Sequence, residues 1–191
     1  AAANFAWSNR QALTWEARTA WRKIFGKEHS LSILYDVAHN IAKQEEHEVN
    51  KKKKELLVER KGAPRSFGPG HQEIPEVYKQ AGQPVIIPGS MGTSSYILAG
   101  SSHSEEETFA SVCHGAGRLL SRRKAAHSTD MKEAERELQS KGVQVRSSSR
   151  KGILEEMPRS YKDVHNVVDI VHQAGLATTV ARLRPIGVIK G

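Results

Sequence analysis

Residues 113–118 read Cys-His-Gly-Ala-Gly-Arg, with Arg122 and Arg123 a few positions further on. Gly115 and Gly117 lack a Cβ and Ala116 is small, so the backbone here can come close to something bulky. Arg118, Arg122 and Arg123 suit a ligand that carries negative charge. A helix predicted from residue 115 to about 126 would put His114 at its N-terminus, where free amides and the positive end of the dipole favour an anion. The same field disfavours protonation and leaves a neutral imidazole with a free lone pair near neutral pH. Beside a bound phosphate, such a group is a competent nucleophile toward phosphorus. The plain alternative is a histidine hydrogen-bonded in a turn. Cys113, which ends the run "TFASVC", reads as packing rather than as a reactive thiol.

Two further segments carry chemistry-bearing residues. In "PGSMGTSSY", 88–96, Gly89 and Gly92 remove Cβ atoms while Ser90, Thr93, Ser94 and Ser95 offer hydroxyls beside exposed amides. Such a turn can cradle a phosphate or a nucleobase. No lysine follows its second glycine, so it is not a phosphate-binding P-loop, and a tight turn between strands is the other reading. In "YDVAHNIAK", Asp36, His39 and Asn40 fall at the end of a predicted strand. The His39 imidazole suits a divalent transition metal, but no second histidine stands at HxH or HxxxH spacing to complete a site. His47, His71, His103 and His127 lie among polar residues and are expected to be exposed, as are His165 and His172.

The elements that must position these groups are partly legible. Leu13, Ala17, Ala20, Ile24 and Phe25 share one face of a helix predicted over 10–25. Alternation in "LSILYDV" predicts a strand over 31–37, and the lysines 51–54 read as a hairpin tip between two strands. Residues 60–71 are punctuated by Gly and Pro as a loop. The runs flanking the glycine turn should be strands, and "SSHSEEET" a loop. A charged surface helix follows over 130–141, then a short strand "VQVRS". Val164, Val167, Val168 and Val171 fall at i, i+3, i+4 and i+7 of another helix, with Gly175 as its C-terminal stop. "VARLR" and "IGVIKG" read as closing strands. Helices and strands mix without strict alternation, so the expected class is α+β, mixed sheets with flanking helices.

Composition sets the remaining bounds. The chain has 191 residues, 38% hydrophobic and 26% charged, enough to bury a core. Lys and Arg number 29 against 21 acidic residues, a formal net charge of +8 that favours a polyanionic partner. No apolar run approaches the roughly 20 residues of a bilayer span, so no membrane association is expected. A single cysteine and the absence of a charged-then-apolar leader make a reducing cytoplasm the expected compartment. The opening "AAANFAWSNRQ" lacks an initiator Met and reads as the run-in to a helix, so the chain is expected to be the C-terminal part of a longer polypeptide.

Seven separated motifs, "AAANFAWSNRQ", "YDVAHNIAK", "RKGAPRSF", "GQPVIIPGSMGTSSYILAG", "CHGAGR", "SYKDV" and "ARLRPIGVIKG", resemble in order the C-terminal half of the RtcB-type RNA-splicing ligases. The resemblance runs from residue 1 to residue 191. It implies a part of a larger single catalytic domain whose N-terminal half is absent here. It further implies a GTP- and Mn²⁺-dependent ligase that joins RNA 3′-phosphate or 2′,3′-cyclic phosphate ends to 5′-hydroxyl ends through a histidine–GMP intermediate, as in tRNA splicing and RNA repair. On that resemblance His114 is the nucleophile, and His39 a manganese ligand with Asn40 close to the nucleotide. Pro88, Gly89, Ser90, Met91 and Ser95 hold the guanosine, together with Gly115, Ala116 and Gly117. Tyr161 and Lys190 become guanine and ribose contacts. Arg60, Lys61 and Arg65, with Arg118 and Arg122, become contacts to RNA or phosphate. The family's remaining metal ligands belong to the absent half, which is thus an expected partner beside RNA. Two other readings stay open: a GMP-transferring enzyme that caps nucleic-acid ends, and a non-catalytic basic RNA-binding module.

Overall fold

The structure, a computed structural model, describes residues 2–128 and 130–190, the side chains of Arg150 and Lys190 excepted. It opens on a helix, α1, Ala2–Phe25, built from good helix formers and longer than the 10–25 expected. Gly26, at φ +97°, ends it. No residue of α1 is buried; Phe5, Trp7, Leu13, Trp15 and Ile24 are all exposed. No helix among the described residues is long and apolar enough to cross a membrane.

The strand expected over 31–37 does not form. Side chains, not a neighbouring strand, take its carbonyls: Arg18 Nε donates to Leu31 O at 2.8 Å and the Tyr78 hydroxyl to Leu34 O. Leu31, Ile33 and Leu34 stay exposed, so their alternation serves no sheet face. The first strands are β1, Asn40–Val49, and β2, Lys52–Lys61, an antiparallel hairpin. Its turn is the pair Asn50 and Lys51, both left-handed at φ 53° and 60°, the geometry that matches the twist of a two-residue hairpin. Of the lysine cluster only Lys51 lies in the turn; Lys52, Lys53 and Lys54 begin β2.

The next elements form the body of the molecule. β3, Pro84–Ile87, and β4, Ser95–Gly100, flank the glycine turn. "SSHSEEET" contains a short helix, α2, His103–Thr108, where a loop was expected. α3 is Arg122–His127, α4 Met131–Ser140, β5 Gln144–Ser147, and α5 Arg150–Glu155. α6, Val164–Gln173, starts on Asp163, whose side chain accepts the His165 N–H at 2.8 Å, and stops before Gly175 at φ +69°. β6 is Ala177–Leu183 and β7 Gly187–Lys190. Among the described residues the strands make three small sheets, β1-β2, β3-β4-β6 and a parallel β5-β7 pair. Mixed sheets with helices beside them agree with the α+β expectation.

Among the described residues three apolar cores result, the smallest made of Phe67, Ile74 and Ala110. Val164, Val168 and Val171 of α6 pack on Val85, Ile87 and Leu98 of the three-stranded sheet, with Val112 beside them. Leu138, Ile153, Met157 and Met91 form the second core. The inward face of the hairpin is different, because it carries charge. Glu45, His47, Val58 and Arg60 all point in. Arg60 Nη1 and Nη2 donate to the two oxygens of Glu45, both at 2.7 Å; Nε reaches Ser111 Oγ at 2.9 Å and Nη2 also Phe109 O at 2.8 Å. His47, expected to be exposed, is 6% exposed and donates from Nε2 to Glu45 at 3.0 Å. Burial pushes the Glu45 carboxyl up, but hydrogen bonds from Arg60 and His47 and the charges of Arg60 and Arg65 outweigh it and hold it below the usual carboxylate value.

Removing one partner would strand a buried charge. Glu45→Ala is expected to cost about 3–5 kcal/mol, read as a lower denaturation midpoint at unchanged m-value. Because the native carboxyl is depressed, its contribution is present above the ordinary Glu value and is lost as pH falls through the native one. Glu45→Gln should therefore flatten the acid limb of the stability curve. A loss under about 1 kcal/mol, the scale of an exposed pair, would contradict this account.

Candidate active site

His114 is placed by a short backbone ladder. Segment 110–114 runs antiparallel to 62–66: the Ala110 O accepts the Ser66 N–H at 2.8 Å, the Val112 N–H donates to Pro64 O at 3.1 Å, and the His114 N–H to Gly62 O at 3.3 Å. Loop 62–66 is in turn tied to the start of β1. The Asn40 side-chain oxygen accepts the Gly62 N–H at 2.9 Å and the His39 carbonyl accepts the Ala63 N–H at 3.1 Å. These bonds bring the His39 and His114 imidazoles into a stack, centroids 4.4 Å apart and planes 29° from parallel. Asn40 thus acts on the loop that backs the histidine. Gly62 is one residue that sequence reading missed. It sits at φ +68°, and a Cβ there would stand 3.1 Å from His114 Cδ2. Its position inside "RKGAPR" was the available signal.

The helix expected from residue 115 is absent. Gly117 is left-handed at φ +73°, Arg118 pairs with Tyr161 in an isolated antiparallel bridge, and α3 begins only at Arg122, capped by Ser121. Among the described residues no helix starts next to His114, so the expected dipole is not built there. The His114 pKa is lowered instead by burial, by the neighbouring His39 and by Lys61. Cys113 next to it packs against the sheet core, and burial pushes its thiol up.

His114 opens on a cleft of about 1000 Å³. One wall is the glycine turn, Pro88 to Met91, with Ser95; another is Gly115, Ala116 and Gly117; Tyr161 and Lys61 contribute as well. The turn is held from within: the Gly89 N–H donates to Ser95 Oγ at 3.1 Å and the Ser90 N–H to Thr93 Oγ1 at 2.7 Å. A Cβ on Gly89 would collide with the Ser94 carbonyl. Met91 also belongs to the second core, which fixes this wall. His39 and Asn40 adjoin the cleft through His114 and Gly62. Lys190 ends β7, and its side chain lies outside the described residues.

The basic residues divide sharply. Lys61 is exposed on the cleft, and Arg122 is 71% exposed, with its Nε 3.7 Å from Glu156. Arg60 is corrected: it was expected at phosphate, but its guanidinium is buried and spent on Glu45, Ser111 and Phe109 O. Arg65 faces Glu73 at 2.6 Å and lies over the Phe67 ring. Arg118 also turns into the protein, to Leu120 O at 3.0 Å, to Glu155 O, to Glu156 at 3.2 Å and to the Tyr161 oxygen at 2.8 Å. Glu156, Lys162 and Arg184, all on the cleft, were not found from sequence. As for a metal, no three His, Cys, Asp or Glu side chains cluster to hold one among the described residues. Asp36 is ion-paired with Arg10, so His39 offers a single exposed imidazole.

A comparison of the whole chain decides the family, because the family model described as tRNA-splicing ligase RtcB matches residues 1–191. The chain belongs to the tRNA-splicing ligase RtcB family. It is 53% identical over 194 residues to the tRNA-splicing ligase RtcB of Thermococcus kodakarensis, covering 100% of this chain and 40% of that protein. The RtcB protein of Pyrococcus abyssi is also 53% identical, with 21% of its length covered, and that of Nanoarchaeum equitans 51% identical, with 41% covered. The chain thus spans between a fifth and two fifths of the length of these RtcB relatives.

The Gly62 contact can be tested without turnover. Gly62→Ala forces an L-residue to φ +68°, at about 1–2 kcal/mol, and crowds the imidazole. The ring-proton NMR signals of both His114 and His39 should move. Gly70→Ala, at φ +84° with open space around it, carries similar strain and should leave them in place. Unmoved signals in Gly62→Ala would show that the glycine does not set the histidine.

Proposed function

We propose that this chain supplies the nucleotidyl-transfer centre of a GTP- and Mn²⁺-dependent RNA ligase that acts in the cytoplasm in tRNA splicing and RNA repair. Its substrates are RNA 3′-phosphate or 2′,3′-cyclic phosphate ends and 5′-hydroxyl ends. The observation that carries this reading is a histidine with lowered pKa, stacked on a second histidine at the mouth of a glycine-walled cleft. A neutral imidazole offers its lone pair to the α-phosphorus of GTP; a P–N bond forms on His114 as the bond to pyrophosphate breaks. The RNA 3′-phosphate then takes GMP from His114, and the 5′-hydroxyl oxygen displaces GMP to close the phosphodiester. Gly115, Ala116 and Gly117 leave room for the nucleotide, and the turn from Pro88 to Met91, with Ser95, Tyr161 and Lys190, holds the nucleoside. Lys61 and Arg122, with the excess of positive charge, suit the RNA backbone.

His39 is the group that would hold manganese in this chain, and the ion would offset phosphate charge and orient the leaving pyrophosphate. One imidazole is not a complete donor set, so the remaining ligands are assigned to the rest of the complete polypeptide, whose N-terminal half is the proposed partner.

The decisive experiment incubates the complete ligase polypeptide with labelled GTP, Mn²⁺ and two RNA ends. Covalent labelling should be acid-labile and alkali-stable, should vanish in His114→Ala and persist in Cys113→Ala. Persistent labelling of the His114 variant would assign the bond to another residue. A stable GMP-capped end without joined strands would identify a capping enzyme, and salt-dependent RNA binding indifferent to GTP a binding module.

A second measurement separates metal from fold. His39→Ala should reduce metal-dependent guanylylation by at least about tenfold, in line with loss of a ligand or its support. RNA binding should fall far less. Equal losses in both would indicate misfolding.

A further inference from the structure

Glu156 lines the same cleft as His114. A carboxylate is out of place where phosphates are to bind, unless its charge is already answered. Here it is answered from two sides. Oε1 accepts from Arg118 Nη1 at 3.2 Å and lies 3.7 Å from Arg122 Nε; Oε2 accepts the hydroxyl proton of Tyr161. Arg118 completes a triangle, donating from Nη1 to the Tyr161 oxygen at 2.8 Å with its guanidinium carbon 4.8 Å above the Tyr161 ring. The backbones beneath are fixed as well: the Leu119 N–H donates to Ser160 O at 2.8 Å and the Lys162 N–H to Gly117 O at 3.0 Å.

The donor and acceptor inventory then has one solution. An ionised carboxylate only accepts and a guanidinium only donates. The Tyr161 proton therefore goes to Glu156, and one lone pair of its oxygen is taken by Arg118. The Tyr161 oxygen can then take at most one further donor. Burial first, then the hydrogen bond and charge of Glu156, push the Tyr161 phenol up, which keeps it protonated in this arrangement.

We propose that Glu156 is a positioning residue for the nucleotide pocket, locking the Tyr161 hydroxyl as a hydrogen-bond acceptor and neutralising Arg118, so that this wall reads an N–H or O–H donor of the nucleoside and not its phosphates. The inference rests on the reading of the cleft as a guanosine site. It assigns Arg118 to the wall and, of the two arginines beside Glu156, leaves Arg122 the one able to meet phosphate.

The test uses the complete ligase polypeptide with Glu156→Gln, Tyr161→Phe and the double variant, in single-turnover guanylylation by GTP. Glu156→Gln should raise the GTP concentration for half-maximal rate about tenfold, the scale of a hydrogen bond to a charged group, while the maximal rate stays within about threefold. Tyr161→Phe should add little on top of it, because both variants remove the same contact. Ultraviolet difference titration against Tyr161→Phe gives a readout that needs no nucleotide: the Tyr161 ionisation midpoint should fall in Glu156→Gln, since a negative neighbour has been removed. A lower maximal rate at unchanged half-saturation would mark a merely structural carboxylate and overturn the proposal, as would an unmoved midpoint. Absence of GTP labelling in the unaltered enzyme, with the midpoint shift intact, would overturn the guanosine reading itself and the nucleoside contact with it.

Discussion

Arg60 is a full positive charge with a side chain only 1% exposed, and the geometry around His114 follows from how that charge is answered. Desolvating a guanidinium is costly unless a carboxylate meets it in good geometry and its other donors are satisfied. Glu45 supplies the bidentate carboxylate across the hairpin, and Ser111 and Phe109 O take the remaining bonds. Two of these partners belong to the segment that leads into His114. The hairpin is thereby fastened to 109–111, and the ladder between 62–66 and 110–114 follows in register. Phe109 and Ala110 are both left-handed, at φ 50° and 51°, a conformation that costs a non-glycine residue about 1–2 kcal/mol. Arg60 bonding at Phe109 O and complete burial of Ala110 offset that cost and keep the turn closed.

From that anchor the histidine pair is a consequence. The ladder sets the height of His114, the Asn40 side chain sets the loop at Gly62, and the missing Cβ of Gly62 lets the imidazole lie over His39. Two imidazoles so close cannot both carry charge cheaply, and Lys61 adds to the repulsion. Neutrality of His114 is thus built from burial and like charge, whereas a helix N-terminus would have had to supply it by dipole. The difference matters mechanically. A helix start at 115 would have aimed amides at the ligand, but the observed extended turn with Gly117 left-handed exposes small residues along a cleft wall instead.

What the sequence made legible followed from local rules. The valine stripe of α6, its Gly175 stop, the strands around the glycine turn and the hairpin itself are set by periodicity and turn chemistry, and they stand as expected. The failures share another cause, in that partners far away in the chain decided them. Residues 31–37 alternate like a strand, but among the described residues no strand pairs with them, and Arg18 and Tyr78 take the Leu31 and Leu34 carbonyls. Glu45 and His47 occupy inward positions in "KQEEHEV", where polarity gives no hint of burial because Arg60, fifteen residues later, supplies the reason. Gly62 was visible only as loop punctuation. The residues at the cleft wall were legible as types, glycines beside a histidine, while their mutual placement depended on that same buried pair.

The two arginines beside the cleft show why a count of positive charge says so little about a site. Arg118 and Arg122 stand four residues apart and would share a face of the helix that the sequence suggested, both pointing at phosphate. The chain instead is non-helical through 118, and one carboxylate, Glu156, faces both of them. A charge pair is strongest where both members lose water. Arg118, 24% exposed and bonded also to two backbone carbonyls, holds Glu156 tightly, while Arg122, 71% exposed and 3.7 Å away, is screened by solvent. An incoming phosphate competes on unequal terms: it would have to break several hydrogen bonds to claim Arg118, but only a loose, hydrated contact to claim Arg122. Position relative to one acid, more than proximity to the histidine, therefore determines which arginine remains able to receive a new anion.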